Sequence, residues 1–391
     1  MAGLESLRSL LEDDPAAAST QAGLDVEPLR PLWDARRRSE PGTPEVRLYR
    51  DWVASKLALR DAFRAGSAPR HPGLRRWRDR QIARCSWELS RDAAEAIIHA
   101  PVAVELCAGC SVGCWFCGVG AAKFREAWPY APNVGLWNGV LGGLLDSLGE
   151  GAAHGFCYWA TDPLDNPDYE RFCLDFCRVL GRFPQTTTAL ALKDPERTRA
   201  LLRVSQEHGC PINRFSVLSR GQLERVFATF TPEELVQVEL VLQNPQSQVV
   251  KAYAGRARET DRVKPDDPAE SSTIACVSGF LVNMVERTVR LISPCSAGPH
   301  WPLGYRVHAQ GRFEDAAGFA SLLSSMATPH ILRLDLPLEE PVGWRPGIRL
   351  ELDGAGGFRL KSPFQEAHFP AAGQPGLEAL GQALCEGTST P

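Results

Sequence analysis

Along the chain the spacing of apolar residues changes character twice. Up to about residue 100 it is helical: in EVRLYRDWVASKLALRDAF, the side chains Val46, Leu48, Trp52, Leu57, Leu59 and Phe63 fall near a 3.6-residue period. From about 101 to 305, short apolar runs alternate with amphipathic stretches such as PDYERFCLDFCRVLG and DPERTRALLRVSQEHG. The runs are PVAVEL, HGFCYWA, TTTALAL, NRFSVLS, QVELVLQ and TVRLIS. An unbroken apolar run suits a strand covered on both faces, and strands separated by helices pair in parallel. The pattern therefore predicts an α/β fold, a parallel sheet with helices outside it, either open or rolled into a partial barrel. Beyond 306 the texture is Pro- and Gly-punctuated. IRLELDGAGGFRLKSPF predicts a hairpin turning at its Gly-rich centre, and GLEALGQAL a closing helix. Three regions are expected: a helical 1–100, an α/β 101–305 and a small extension 306–391.

Composition narrows the function. With 391 residues, 44% of them hydrophobic, the chain can bury a sizeable core. A net charge of -4 gives no global attraction to polyanions, so nucleic acid is not an expected partner, and the basic run RHPGLRRWRDRQIARC reads as a solvated helix face. The opening MAGLESLRSLLEDDP lacks a basic region followed by an apolar core, and the apolar stretch at 134–149 is broken by Asn138, Asp146 and Ser147. A cytoplasmic protein with no membrane partner is expected. There, twelve cysteines are thiols, metal ligands or reactive groups rather than a disulfide framework.

Four of them crowd into ELCAGCSVGCWFCGVGA, directly after the first predicted strand, at the carboxyl edge where α/β sheets gather their chemistry. Structural zinc takes two ligand pairs separated by a longer loop, and no second distant pair exists. A redox C-A-G-C pair leaves Cys114 and Cys117 without a role. Three thiolates on one short loop, Cys110, Cys114 and Cys117, suit three irons of a four-iron cluster and leave the fourth iron open to another ligand. Cys107 reads as a packed thiol at the strand end.

CSVGCWFC resembles the signature loop of radical S-adenosylmethionine (SAM) enzymes. The resemblance implies a partial (β/α)6 barrel, a 4Fe-4S cluster on Cys110, Cys114 and Cys117, and S-adenosyl-L-methionine as cofactor with Phe116 beside its adenine. It also implies an external one-electron reductant. In YWATDPLDNPDY, Thr161 and Asp162 stand where the family places its SAM-amino motif, here without the two glycines. Asp162 and Pro163 equally read as a helix cap and first turn. Lys193 and Ser216 are further SAM contacts implied at strand ends.

Together with GFLVNMVERTVRLISPCSAGPHWPLGY, these phrases are similar to radical SAM peptide epimerases, which put D-residues into ribosomally made precursor peptides. Inverting a carbon radical requires hydrogen returned from the opposite face, and a cysteine thiol is the natural donor. Among the nine cysteines outside the triad, Cys295 ends the last predicted strand and is the expected donor, with Cys276 in reserve. The precursor peptide is the implied partner; its leader could add a strand to an edge of the 348–364 hairpin or be drawn by the basic run at 70–80, and an ordinary capping hairpin fits the same residues equally well. Peptide crosslinking or methylation, a small-molecule epimerase or mutase, and a non-catalytic metal-binding protein are the alternatives.

Overall fold

The computed structural model describes residues 59–235, 237–244, 251–265, 273–330, 348–353 and 357–370, with positions 36, 47, 51 and 247 besides. Most of the expected N-terminal helix and the whole of the closing helix, with Cys385, lie outside the described residues.

Helix α1 (Pro72–Glu88) begins where Pro72 fits the first turn and His71 Nδ1 accepts from the Leu74 N–H at 3.4 Å. The short α2 (Arg91–Ala96) is capped by Ser90. Strand β1 (Ala100–Glu105) follows, buried along its whole length, and then the two-residue strands β2 (Cys107–Ala108) and β3 (Glu126–Ala127). Next come α3 (Val134–Leu148), α4 (Tyr169–Leu180), the short β4 (Thr187–Thr188) and α5 (Pro195–Glu207). The sequence continues through β5 (Asn213–Val217), α6 (Arg220–Thr229), α7 (Pro232–Leu235) and β6 (Val238–Leu242). Last are β7 (Val277–Asn283), β8 (Thr288–Pro294), β9 (Tyr305–Arg312), α8 (Ala316–Ala327) and β10 (Arg349–Leu352), β11 (Phe358–Lys361) and β12 (Glu366–Phe369). The architecture is mixed α/β.

Strands β4, β5 and β6 form a parallel sheet, as the alternating pattern predicts. The four-stranded sheet, in order β1-β7-β8-β9, departs from it: β1 and β7 are parallel, but β7, β8 and β9 run antiparallel. Only Met284–Arg287 separate β7 from β8, with Arg287 at φ +50°, and so short a link cannot make the crossover that parallel pairing demands. TVRLIS is therefore a returning strand, not the last of a parallel series. HGFCYWA yields a single parallel bridge, Phe156 to Ala103, and TTTALAL only Thr187–Thr188. At Gly279 a Cβ would sit 1.9 Å from the Pro101 carbonyl, so only glycine lets β1 and β7 close at this irregular step in their register.

The four-stranded sheet is covered differently on its two faces. Val102, Val104, Phe280, Val282, Val289 and Leu291 pack against α3, α4 and α8 in the largest apolar cluster, each burial worth about 1.5–3 kcal/mol. Ala103, Leu281, Ile292 and Tyr305 form the opposite face with Phe156. The basic run of α1 is not simply a solvated face. Arg78 is 3% exposed and donates to the carbonyls of His99 and Arg64, while Arg84 binds Glu88, Ser293 and the Pro294 carbonyl. The 348–364 hairpin forms as β10 and β11, with β12 as a third antiparallel strand.

Candidate functional site

Glu105 ends β1, and the chain then leaves the sheet as a loop pinned at its neck. Cys107 and Ala108 pair with Ala127 and Glu126, the Cys110 N–H donates to the Ala122 carbonyl at 2.9 Å, and the Phe124 N–H donates to the Cys110 carbonyl at 3.1 Å. Gly109 turns at φ +84°, and a Cβ there would lie 2.3 Å from the Lys123 carbonyl, so the neck closes only on glycine. Within the loop the Cys117 N–H bonds the Cys114 carbonyl at 3.2 Å, the Ala121 N–H donates to Cys117 Sγ at 3.3 Å, and the Ser111 N–H donates to Asp165 Oδ2 at 2.8 Å.

Cys110, Cys114 and Cys117 are all half-buried and free of disulfides. Burial pushes the Cys110 thiol up, opposed by the N–H groups of Val112 and Gly113, and pushes Cys114 up to about 11 with the neighbouring sulfurs adding to it. Cys107 is buried and pushed up to about 12, first by burial and then by Asp165 and Asp162; this is the packed thiol expected. Among the described residues no group of three or more His, Cys, Asp or Glu converges as one metal ion requires.

A second chain segment, which sequence reasoning missed, lies on this loop. Its 3-10 turn Gly255–Glu259 brings the Arg256 N–H to the Cys117 carbonyl at 2.9 Å and Arg256 Nη1 to the Cys114 carbonyl at 2.6 Å, while Nη2 donates to the Ala121 carbonyl. Lys251 Nζ lies 5.5 Å from the Phe116 ring centre and the Arg262 guanidinium 5.2 Å from that of Trp115.

A cavity of about 280 Å³ lies between the loop and the sheet face that carries Leu281 and Tyr305. Gly109, Val119, Gly120 and Ala122 wall one side; Leu281, Asn283, Arg290 and Tyr305 the other. Glu105, 7% exposed, lines it with Oε1 accepting from the Ala160 N–H at 2.9 Å and Oε2 from Asn283 Nδ2 at 3.1 Å. Burial raises its pKa, against those two hydrogen bonds and Arg290. Arg125 and Glu286, paired at 2.6 Å, also line it. Glu105 is the one charged residue of the PVAVEL run, which is the signal that could have marked it.

Of the residues expected to hold SAM, Phe116 stands on the loop itself and Thr161 and Asp162 are buried where Phe156–Pro163 passes beside it. Asp162 is the N-cap of the 3-10 turn Pro163–Asp165. Its carboxylate accepts from the Leu164 N–H, the Thr188 hydroxyl and the Ala189 N–H at 3.1, 2.7 and 2.7 Å, and burial lifts its pKa to about 6. Lys193 and Ser216 do not line the cavity. Lys193 is exposed, its N–H closing a turn onto Leu190; Ser216 is half-buried on β5, on the side opposite Phe215 and Val217.

The expected donor is not at the carboxyl edge of the parallel strands. Because β8 runs against β1 and β7, its end lies where those strands begin, and Cys295 follows it there, about 23 Å along the sheet from the level of Glu105. The groups around its sulfur are Arg84, Glu88 and Cys85 of α1 and Arg306 of β9, and burial pushes the thiol up to about 12. Cys276 precedes β7 and packs on the apolar cluster that includes the cavity residues Leu281, Tyr305, Trp159 and Leu303, as well as on Cys85 and Leu89. Neither thiol lines the cavity.

No family model matches the chain. A solved structure of BtrN in complex with AdoMet and 2-DOIA is 15% identical, with a TM-score of 0.34 over 49% of this chain and 72% of that one. Among the described residues no helix is long and apolar enough to cross a membrane. The uncharacterized protein y4wI of Sinorhizobium fredii strain NGR234 is 39% identical over 372 residues, 90% of this chain and 72% of the relative, and the chain belongs to the same family as that protein.

Proposed function

We propose that the chain is a radical SAM enzyme that inverts residues of a ribosomally made precursor peptide. The observation that carries the first half is the loop: three half-buried free thiols, Cys110, Cys114 and Cys117, on one pinned turn beside a polar cavity. Soft thiolates are the donor set an iron–sulfur cluster takes, and Cys117 Sγ already accepts a backbone N–H. When bound, the cluster and SAM supply a carbon radical able to take a hydrogen atom from a substrate.

The chain's own residues prepare the site around that chemistry. Phe116 offers a ring on the loop, and Asp162 offers a carboxylate whose three present bonds all run to its own chain, so an ammonium contact there would be a fourth. Glu105, Asn283 and Arg290 give the cavity matched acceptors and donors on a substrate's polar groups. Its volume suits one amino-acid residue rather than a folded peptide. The peptide-epimerase half rests on the sequence resemblance. Cys276 and Cys295 stand together where β7 begins and β8 ends, so their place along the sheet does not choose between them as the returning thiol, although Cys276 touches the apolar cluster shared with Tyr305, Trp159 and Leu303.

The test is co-expression with small peptides encoded beside the gene, in D2O, followed by hydrolysis and chiral amino-acid analysis. Epimerisation yields D-residues carrying deuterium and no other mass change. Loss of hydrogens marks crosslinking, added carbon marks methylation, and either outcome overturns the epimerase assignment while keeping the radical one.

A further inference from the structure

The structure assigns a role to Arg256: it is the positioning residue that fixes the backbone of the cysteine loop and places a positive charge beside its sulfurs. This rests on the cluster reading proposed above for Cys110, Cys114 and Cys117. Arg256 lies 142 residues from Cys114 in sequence, yet one guanidinium bonds the carbonyls of Cys114 and Ala121, the two ends of the turn that carries Cys117. Its own N–H bonds the Cys117 carbonyl at 2.9 Å. A planar guanidinium reaches two acceptors at once, a fit that the single ammonium of lysine does not reproduce.

The preceding residue shows how close the segments lie. Gly255 has φ +53°, and a Cβ there would stand 2.4 Å from the Cys117 carbonyl, 2.5 Å from that of Gly118 and 2.6 Å from the Gly120 nitrogen. Only glycine allows Arg256 to arrive at this depth. The Gly255 N–H is in turn held by the Pro302 carbonyl at 2.7 Å, so the clamp is anchored to the segment before β9. The charge stands beside the loop as well as holding it, since the guanidinium bonds the backbone of the proposed ligand Cys114 itself. Charge and hydrogen bonding near cluster sulfurs are the means by which a protein sets the reduction potential. Adding one electron makes a cluster more negative, and a nearby guanidinium stabilises that form, so it raises the potential.

The test uses the full chain reconstituted anaerobically with iron and sulfide, in wild-type, Arg256→Lys and Arg256→Gln forms. Iron and sulfide content are measured, and an EPR-monitored titration with a chemical reductant gives the midpoint potential. Arg256→Gln is expected to shift the potential to more negative values and to lower iron retention several-fold. Arg256→Lys is expected to keep the potential near wild type, because the charge remains, while still losing iron faster, because the two-carbonyl grip is gone. Circular dichroism of the apo forms checks that the variants fold, and an Arg256→Ala form replaces any that does not. Wild-type potential and iron content in Arg256→Gln would overturn the inference alone. A wild-type chain that takes up no cluster would instead overturn the cluster reading.

Discussion

The two ends of the four-stranded sheet both carry cysteines, arginines and carboxylates, and they are built to opposite purposes. Where β1 ends, Glu105 opens into a loop of three half-buried thiols with a cavity beside it. Where β8 ends, Cys295 and Cys85 are closed under α1, with Glu88 held between Arg84 at 2.6 Å and Arg306. The Cys85 thiol even donates to the Pro294 carbonyl at 3.3 Å, a packing bond. A raised thiol pKa is common to both ends, so it does not distinguish them. What does is backbone: glycines at positive φ and N–H groups turned toward sulfur at one end, regular helix-on-strand packing at the other.

The largest expected contrast is in metal content. Replacing any of Cys110, Cys114 or Cys117 by alanine should abolish cluster binding and SAM cleavage, whereas Cys85→Ala and Cys295→Ala should leave both within about threefold of wild type. Iron assay and liquid chromatography of 5′-deoxyadenosine check this. Next, Cys276→Ala should lower D-residue formation at least tenfold and Cys295→Ala should not; the reverse result would make the neighbouring thiol Cys295 the donor.

Smaller effects separate the two ends by stability. Asp162→Asn turns an amide donor or a weaker acceptor toward the N–H groups of Leu164 and Ala189 and should cost about 1–3 kcal/mol in urea unfolding. At the closed end, burial holds His99 and His308 neutral, each lowered to about 3. In the unfolded chain both bind a proton near pH 6.5, so their contribution to stability is lost as pH falls through 6.5 toward 4, with a slope of about 1.4 kcal/mol per pH unit for each. Asp162, raised to about 6, acts in the opposite direction below that pH. Urea midpoints across this range should drop for wild type and drop less steeply for His308→Gln.

The loop was conspicuous in the sequence because its pattern is local: three cysteines in eight residues announce themselves, as does the cap Asp162 before Pro163. The parallel sheet β4-β5-β6 followed from the alternation of runs and helices. The direction of β8 did not, because apolar runs look alike in either sense and the information lay in the four-residue link Met284–Arg287. That error moved Cys295 to the wrong end of the sheet. Arg256 was illegible for another reason: a guanidinium reaching carbonyls over a hundred residues away leaves no periodic trace. Glu105 was hidden by standing at the end of an otherwise apolar strand.

The most direct test of the account is anaerobic reconstitution of the wild-type chain with iron and sulfide, followed by reduction in the presence of SAM. The account predicts about four iron atoms per chain, an EPR signal on reduction that SAM perturbs, and release of 5′-deoxyadenosine and methionine. A chain that binds a single zinc, or that carries a cluster which SAM neither perturbs nor reacts with, would contradict it.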